Sequence, residues 1–190
     1  PEQSKLQEQS ADTATAEEAT APLVIAPEPD ELPAPPDCAS LLKELGVAEL
    51  PRDGPPLVPP ARLLELARRL KSSGYRQLVS LIATHWSKGS GRKGADPAEP
   101  EHYEVSYLVR TIGPGSRLAI WAVRLEINQP VPTLSGVYAG ADWQEREQYD
   151  LVGVRFSGHP DLRRLMMPEN YQGHPLRRDF ASDAPLAPWR

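Results

Sequence analysis

Apolar positions along this chain change their spacing in a way that lays out most of the elements. Leu63, Leu66, Ala67 and Leu70 recur at helical intervals, with Arg62, Glu65, Arg68, Arg69 and Lys71 on the opposite side. Pro59-Pro60 in front and Gly74 behind give that helix its start and stop. A shorter helix is expected upstream, with Leu41, Leu42 and Leu45 on one face, Asp37 as cap and Gly46 as stop. Pro51 to Pro60 reads as a turn-rich link between the two. Leu78 to Trp86 is apolar at most positions, which predicts a strand in the middle of a sheet. The period then drops to two. Tyr103, Val105, Tyr107 and Val109 alternate with Glu104, Ser106 and Arg110, and after Gly113-Pro114-Gly115-Ser116 the residues Ala119, Trp121, Val123, Leu125 and Ile127 share one face. That is a hairpin. Between the first strand and the hairpin, Lys88 to Gly94 and Asp96-Pro97 form a long loop.

Downstream, Asp142-Trp143-Gln144-Glu145 has the form of a capping box opening a helix that Gly153 stops. Val152, Val154 and Phe156 then suggest a short strand. Two Gly-His-Pro turns follow, at 158–160 and 173–175, each leading to an arginine pair, Arg163-Arg164 and Arg177-Arg178. This turn-dense stretch has few apolar residues for a core of its own and is expected to lie along another surface. The fold class is therefore α+β: a mainly antiparallel sheet with helices on one side, followed by an extended Arg/Pro-rich C-terminal strap. The domain is placed at 38–156 and the strap, as a partner-binding segment, at 157–190.

Charge separates the beginning of the chain from the rest. The 190 residues carry a net charge of −5, yet residues 1–37 hold nine acids against Lys5 alone, leaving the remainder slightly positive. With no aromatic residue and one apolar patch, Leu23-Val24-Ile25, residues 1–37 are expected to be a disordered acidic tail that raises solubility or shields the basic strap. The tail is not expected to be a transit peptide, which is basic, or a signal peptide, and a start at Pro1 fits removal of an initiator methionine or a trimmed chain equally. The longest apolar run, Leu118 to Val123, is far below the roughly 18 residues of a membrane span. A lone cysteine, Cys38, supplies neither a disulfide framework nor the ligands of an iron–sulfur cluster.

Several sharper chemistries are weaker than their plain counterparts. Glu145, Glu147 and Asp150 resemble a carboxylate acid–base cluster, but a capping box with ion pairs to Arg146 accounts for them more simply. His159, His174 and Cys38 lack metal-ligand spacing, and histidines between Gly and Pro fit turns. Lys88 to Gly94 lacks the order of a phosphate loop. Nucleic acid is not expected, because the arginine pairs have neither aromatic interleaving nor a basic surplus around them. Pairing of Arg163, Arg164, Arg177 and Arg178 with carboxylates of a partner is favoured over internal pairing with Asp161, Asp179 and the acids of 145–150.

The run Ala141-Asp142-Trp143-Gln144-Glu145-Arg146-Glu147-Gln148-Tyr149-Asp150-Leu151-Val152-Gly153 resembles the hallmark of the 30-kDa subunit family of respiratory complex I, the C subunit of the bacterial proton-pumping NADH–quinone oxidoreductase. Phe156 and Gly158-His159-Pro160-Asp161-Leu162-Arg163-Arg164, through Pro175-Leu176-Arg177-Arg178-Asp179-Phe180, continue the likeness. The strong part covers 141–180, with a weaker match in element order back to about residue 60. The resemblance implies a peripheral-arm subunit of the enzyme with no redox centre and no catalytic residues. It would pack on the large quinone-pocket subunit of the 49-kDa type, near the subunit carrying the terminal iron–sulfur cluster, on the cytoplasmic face of a bacterial membrane. FMN, iron–sulfur clusters, quinone and NADH would belong to the complex and not to this chain. The interface residues it implies are Glu145, Arg146, Glu147, Asp150, His159, Arg163, Arg164, His174, Arg177, Arg178 and Asp179. An equivalent scaffold in a membrane-bound hydrogenase or a ferredoxin-driven relative is the alternative.

Overall fold

The computed structural model describes residues 38–44, 54–92 and 96–181. Its elements are α1 (Cys38–Glu44), α2 (Leu63–Ser72), β1 (Gln77–Trp86), β2 (His102–Arg110), β3 (Leu118–Glu126), β4 (Val131–Pro132), α3 (Ala141–Val152) and β5 (Phe156–Ser157). The acidic tail, the Asp37 cap, Leu45, Gly46 and the end of the strap lie outside the described residues.

The hairpin forms where the alternation places it. β2 and β3 pair antiparallel from His102↔Glu126 to Arg110↔Leu118, and β1 adds antiparallel to the other side of β2, giving the order β1-β2-β3. Leu78–Trp86 is therefore an edge strand, not the central one. Its apolar residues serve two faces: Leu78, Leu81 and Ala83 point into the core, whereas Ile82 is 56% exposed and Val79, at a bulge, 40% exposed. Apolar side chains on both faces do not by themselves make a strand central.

Three cross-strand rows build the inner face: Leu81–Tyr107–Trp121, Ala83–Val105–Val123 and His85–Tyr103–Leu125, all buried. Tyr107 and Trp121 stack with centroids 5.5 Å apart. Leu63, Leu66, Ala67 and Leu70 of α2 join the same core, as the helical stripe predicts. The Tyr138 hydroxyl donates to the Tyr75 carbonyl at 2.9 Å, tying the chain before α3 to the end of α2.

Each sheet edge is met at one position by another segment of the chain. On the outer edge of β1 the Ala83 N–H donates to the Gln148 side chain of α3 at 3.0 Å. On β3, Ala122 exchanges main-chain bonds with Pro56 and Val58 at 2.9 and 2.8 Å. Such contacts interrupt the row of free main-chain groups that another strand would extend.

Of the expected strand at 152–156 only Phe156–Ser157 forms, pairing parallel with β4, because Gly153 takes a left-handed φ of +91° and turns the chain out of the helix. Beyond Ser157 the described residues contain no further helix or strand. They fold back against α3 and the ends of β1 and β2, so the strap lies on its own domain.

Candidate functional site

The signature residues converge on α3, a helix whose buried side is largely polar. Ala141, Glu145, Gln148 and Val152 recur at three- and four-residue spacing and face inward, and Arg146 and Asp150 are buried beneath the strap. Burial of this many polar groups is stable only when each has a partner.

At the helix start the expected capping box is absent. Gly140 occupies the cap position with no side-chain bond, and the first amides are met by the preceding turn, Ala141 N–H to Tyr138 O at 2.9 Å and Asp142 N–H to Ala139 O at 3.4 Å. Glu145 is thereby released inward. Fully buried, it accepts from Leu134 N–H at 2.7 Å and from the Thr133 hydroxyl. His159, its side chain also fully buried, accepts from Asp161 N–H through Nδ1 at 3.1 Å. That leaves Nε2–H to donate to the Asp142 carbonyl at 3.2 Å, with Glu145 4.0 Å away. Burial pushes Glu145 up from 4.5 to about 6, against the lowering effects of Thr133, Leu134 and His159. The protonated form is thus the better guest. Its contribution to stability is full below pH 4.5 and is lost as pH rises through 6. Substituting Glu145→Gln is expected to flatten this slope, removing about 2 kcal/mol of pH-dependent loss across that window, in urea unfolding of the two full-length chains at pH 4.5 to 7.

At the other end of α3 the strap serves as its C-cap. A helix leaves its last carbonyls without intrahelical donors. Here Gly153 N–H reaches Gln148 O and Tyr149 O, each at 3.1 Å. Asp150 O takes His174 Nδ1 at 2.9 Å and Arg164 Nη1 at 3.3 Å, and Leu151 O takes Leu176 N–H at 2.8 Å. The Asp150 carboxylate holds the intervening loop. One oxygen accepts from the consecutive amides of Leu165, Met166 and Met167 at 3.0, 2.7 and 2.8 Å, and the other from Arg164 at 2.6 Å. Burial pulls its pKa upward, but the bonds from Met167, Arg164, Met166 and Leu165 outweigh it and hold the carboxyl below the usual range. Arg164 also donates to the Tyr171 and Gly173 carbonyls, each at 3.0 Å.

The second arginine pair closes onto the sheet. Arg177 grips Asp179 bidentately at 2.8 and 2.7 Å, reaches Glu101 at 3.4 Å and donates to the Tyr103 hydroxyl. The Arg177 guanidinium lowers Asp179 to about 2. Arg178 N–H donates to Nδ1 of buried His85 at 3.1 Å while its guanidinium lies 4.9 Å over Trp86.

The arginines are therefore committed mainly inside the chain. Arg163 pairs with Asp161 at 2.9 Å and stays 66% exposed, Arg164 belongs to Asp150, and Arg177 to Asp179. Within the chain, the acids set aside for internal pairing thus engage Arg163, Arg164 and Arg177, while the Arg178 guanidinium has no carboxylate among the described residues. Arg146 does not pair with the neighbouring acids either. It reaches the Arg163 and Arg164 carbonyls at 3.3 and 3.4 Å and lies 5.4 Å over Trp143. Glu147 is half-buried and makes no ion pair among the described residues. Glu145 and Asp150 are 0% exposed, so no substrate reaches them as a carboxylate pair. His159 and His174 sit at opposite ends of α3. What stays outside is a small surface of Trp143 and Arg163, 64% and 66% exposed, with buried Arg146 beneath the Trp143 ring. Thr133, Leu134, His85, Glu101 and Tyr103 are not singled out by the sequence. They lie far from their partners along the chain, and only the inward parity of His85 and Tyr103 on their strands hints at a role.

The model of the family described as respiratory-chain NADH dehydrogenase, 30 Kd subunit, matches residues 57–185. The chain belongs to this family. Among curated relatives in this 30-kDa subunit family, the NADH-quinone oxidoreductase C subunit of Mesorhizobium japonicum is 40% identical over 124 residues, 65% of this chain and 57% of the relative. The corresponding C 1 subunit of Rhizobium etli is 36% identical over 75% of the chain and 64% of the relative. The mitochondrial NADH-ubiquinone oxidoreductase 30.4 kDa subunit of Neurospora crassa is 45% identical over 84 residues, 44% of this chain and 29% of the relative. The chain spans about half the length of the curated relatives it matches. Among solved structures, the trypsin-resistant fragment (1–134) of Nqo5 superimposes with a TM-score of 0.50 at 27% identity, over 65% of this chain and 98% of that fragment. Among the described residues no helix is long and apolar enough to cross a membrane.

Proposed function

We propose that this chain is a non-redox assembly subunit of the peripheral arm of a proton-translocating NADH–quinone oxidoreductase. It docks on the quinone-pocket subunit of the 49-kDa type, beside the terminal-cluster subunit, on the cytoplasmic face of the membrane. FMN, the iron–sulfur clusters, NADH and quinone are handled by those partners. Family membership supports the complex. The observation that carries the mechanical role is the use of the signature charges: Asp150, Arg164 and Arg177 hold the strap and Glu145 holds the Thr133–Leu134 loop, leaving an exposed aromatic–arginine surface on a braced frame.

Trp143 is the natural anchor of that surface, since exposed tryptophan beside arginine is the composition of interface hot spots. Trp143→Ala is expected to leave the circular dichroism spectrum unchanged and to weaken association with the quinone-pocket subunit roughly 30-fold, about 2 kcal/mol. Arg163→Glu, at an exposed site, acts on the same surface and is expected to reduce co-purification without unfolding the chain. Arg177→Glu is a poorer probe, because a third acid beside Glu101 and Asp179 would open the strap itself. Full co-purification of both the Trp143→Ala and Arg163→Glu chains would refute docking through this surface.

A further inference from the structure

The outer face of the sheet divides into two halves of different character. Towards one end, Arg92 from the loop before β2 clasps Glu104 through both carboxylate oxygens at 2.7 to 3.1 Å and anchors on the Pro55 carbonyl at 2.7 Å. Arg124 pairs with Glu99 beside it. That half is covered by its own chain. The other half carries Ser80, Leu108 and Ile120 in one row and Ile82 and Ser106 in the next, whose third member, Ala122, is buried, and ends at Arg110–Leu118. Ile82, Ile120 and Leu118 are 56, 46 and 62% exposed. An antiparallel sheet with one wet face puts polar residues at its outward positions. Here the alternation fails over one half only, and contiguous apolar surface of this kind marks an interaction site.

Charge identifies what fits. The sequence has no acidic residue from 66 to 95 or from 105 to 125, the stretches that build this half, whereas Arg76, Arg110 and Arg117 lie along them. Arg110 bonds to the neutral Gln77 side chain at 2.7 Å and keeps its charge. A second copy of the chain would bring the same arginines against each other across a two-fold axis. An added strand would meet bonds already taken, at Ala83 of β1 by Gln148 and at Ala122 of β3 by the Pro56–Val58 segment, which favours a helix over a strand. We infer that this half-face is a docking site for an amphipathic helix of another protein chain, apolar along one stripe and flanked by aspartate or glutamate. The inference rests on the assembly reading above and adds a surface separate from Trp143. Apolar contact supplies the affinity, and the arginine rim sets orientation and makes association weaken with salt.

The test places the photo-crosslinker p-benzoylphenylalanine at position 120 of the tagged full-length chain in host membranes, followed by mild-detergent purification and sequencing of the crosslinked peptide. The expected peptide has apolar residues at i, i+3 or i+4, and i+7, with acids on the flanks, and adding Arg110→Glu lowers the crosslink yield roughly tenfold at low salt. A crosslink to a second copy of this chain, or to a peptide without that pattern, overturns the inference. So does a chain that co-purifies with its partner subunits yet gives no crosslink from position 120, and this result leaves the assembly reading standing. A chain that co-purifies with no subunit overturns both.

Discussion

Replacing Asp150 with alanine is expected to release residues 163–177 from α3 and to cost the folded chain about 3–5 kcal/mol, the range for removing one partner of a buried ion pair. Four donors converge on this carboxylate, three of them consecutive main-chain amides and the fourth the Arg164 guanidinium. Without it Arg164 loses its counter-ion, and three consecutive amides lose their acceptor. The Asp150→Asn substitution would not preserve the site, because the new NH₂ would point at donors. Hydrogen exchange reads the effect directly: the amides of Leu165, Met166 and Met167 are expected to lose protection before those of β2. Since the carboxyl is held below its usual range, its contribution is present above the ordinary aspartate pKa and fades as pH falls through the lowered value. The difference in stability between wild type and Asp150→Ala should therefore narrow under acid conditions. An alanine variant with unchanged protection in 165–167 would contradict the role given to Asp150.

The second large effect falls on Gly153. Its φ of +91° is one that a side-chain-bearing residue rarely adopts, and a Cβ there would lie 2.8 Å from the His174 ring. That ring is held in place by its bond to the Asp150 carbonyl. Gly153→Ala is expected to cost about 1–3 kcal/mol from the backbone alone, more as the ring is displaced. The diagnostic readout is His174. Its imidazole resonances should shift to solvent-exposed values in the Gly153→Ala chain while those of buried His85 stay put, and a variant with both rings unmoved would show that the close packing at 153 is not required.

These two positions show what is legible in the sequence. Gly153 is readable as a stop signal because a left-handed residue after a helix favours glycine for local reasons. The α2 stripe and the β2–β3 hairpin are readable for the same kind of reason: one buried face imposes a period. Position in the sheet is not, since the apolar residues of β1 look alike whether the outer face meets a second layer of the same chain or is left bare. The capping box also misleads. Asp142 and Glu145 have the right spacing, but the turn at 138–140 already satisfies the first amides, and Glu145 goes to Thr133 and Leu134 in a loop that no local pattern links to it. The arginine pairs are visible as a repeat, yet their acids depend on the path of the strap. Arg164 can find Asp150 only after the chain has turned back along α3, so the sequence alone does not show which acids inside the chain the arginines reach.

On the function proposed above, this chain works as an assembled subunit on a braced frame. Affinity purification of the tagged full-length chain from membranes in mild detergent, with mass spectrometry and NADH–quinone activity measured on the same eluate, tests it most directly. Flavin- and cluster-bearing subunits are expected in the eluate together with that activity. Recovery of a nickel hydrogenase pair in their place, or of the chain alone, would contradict it.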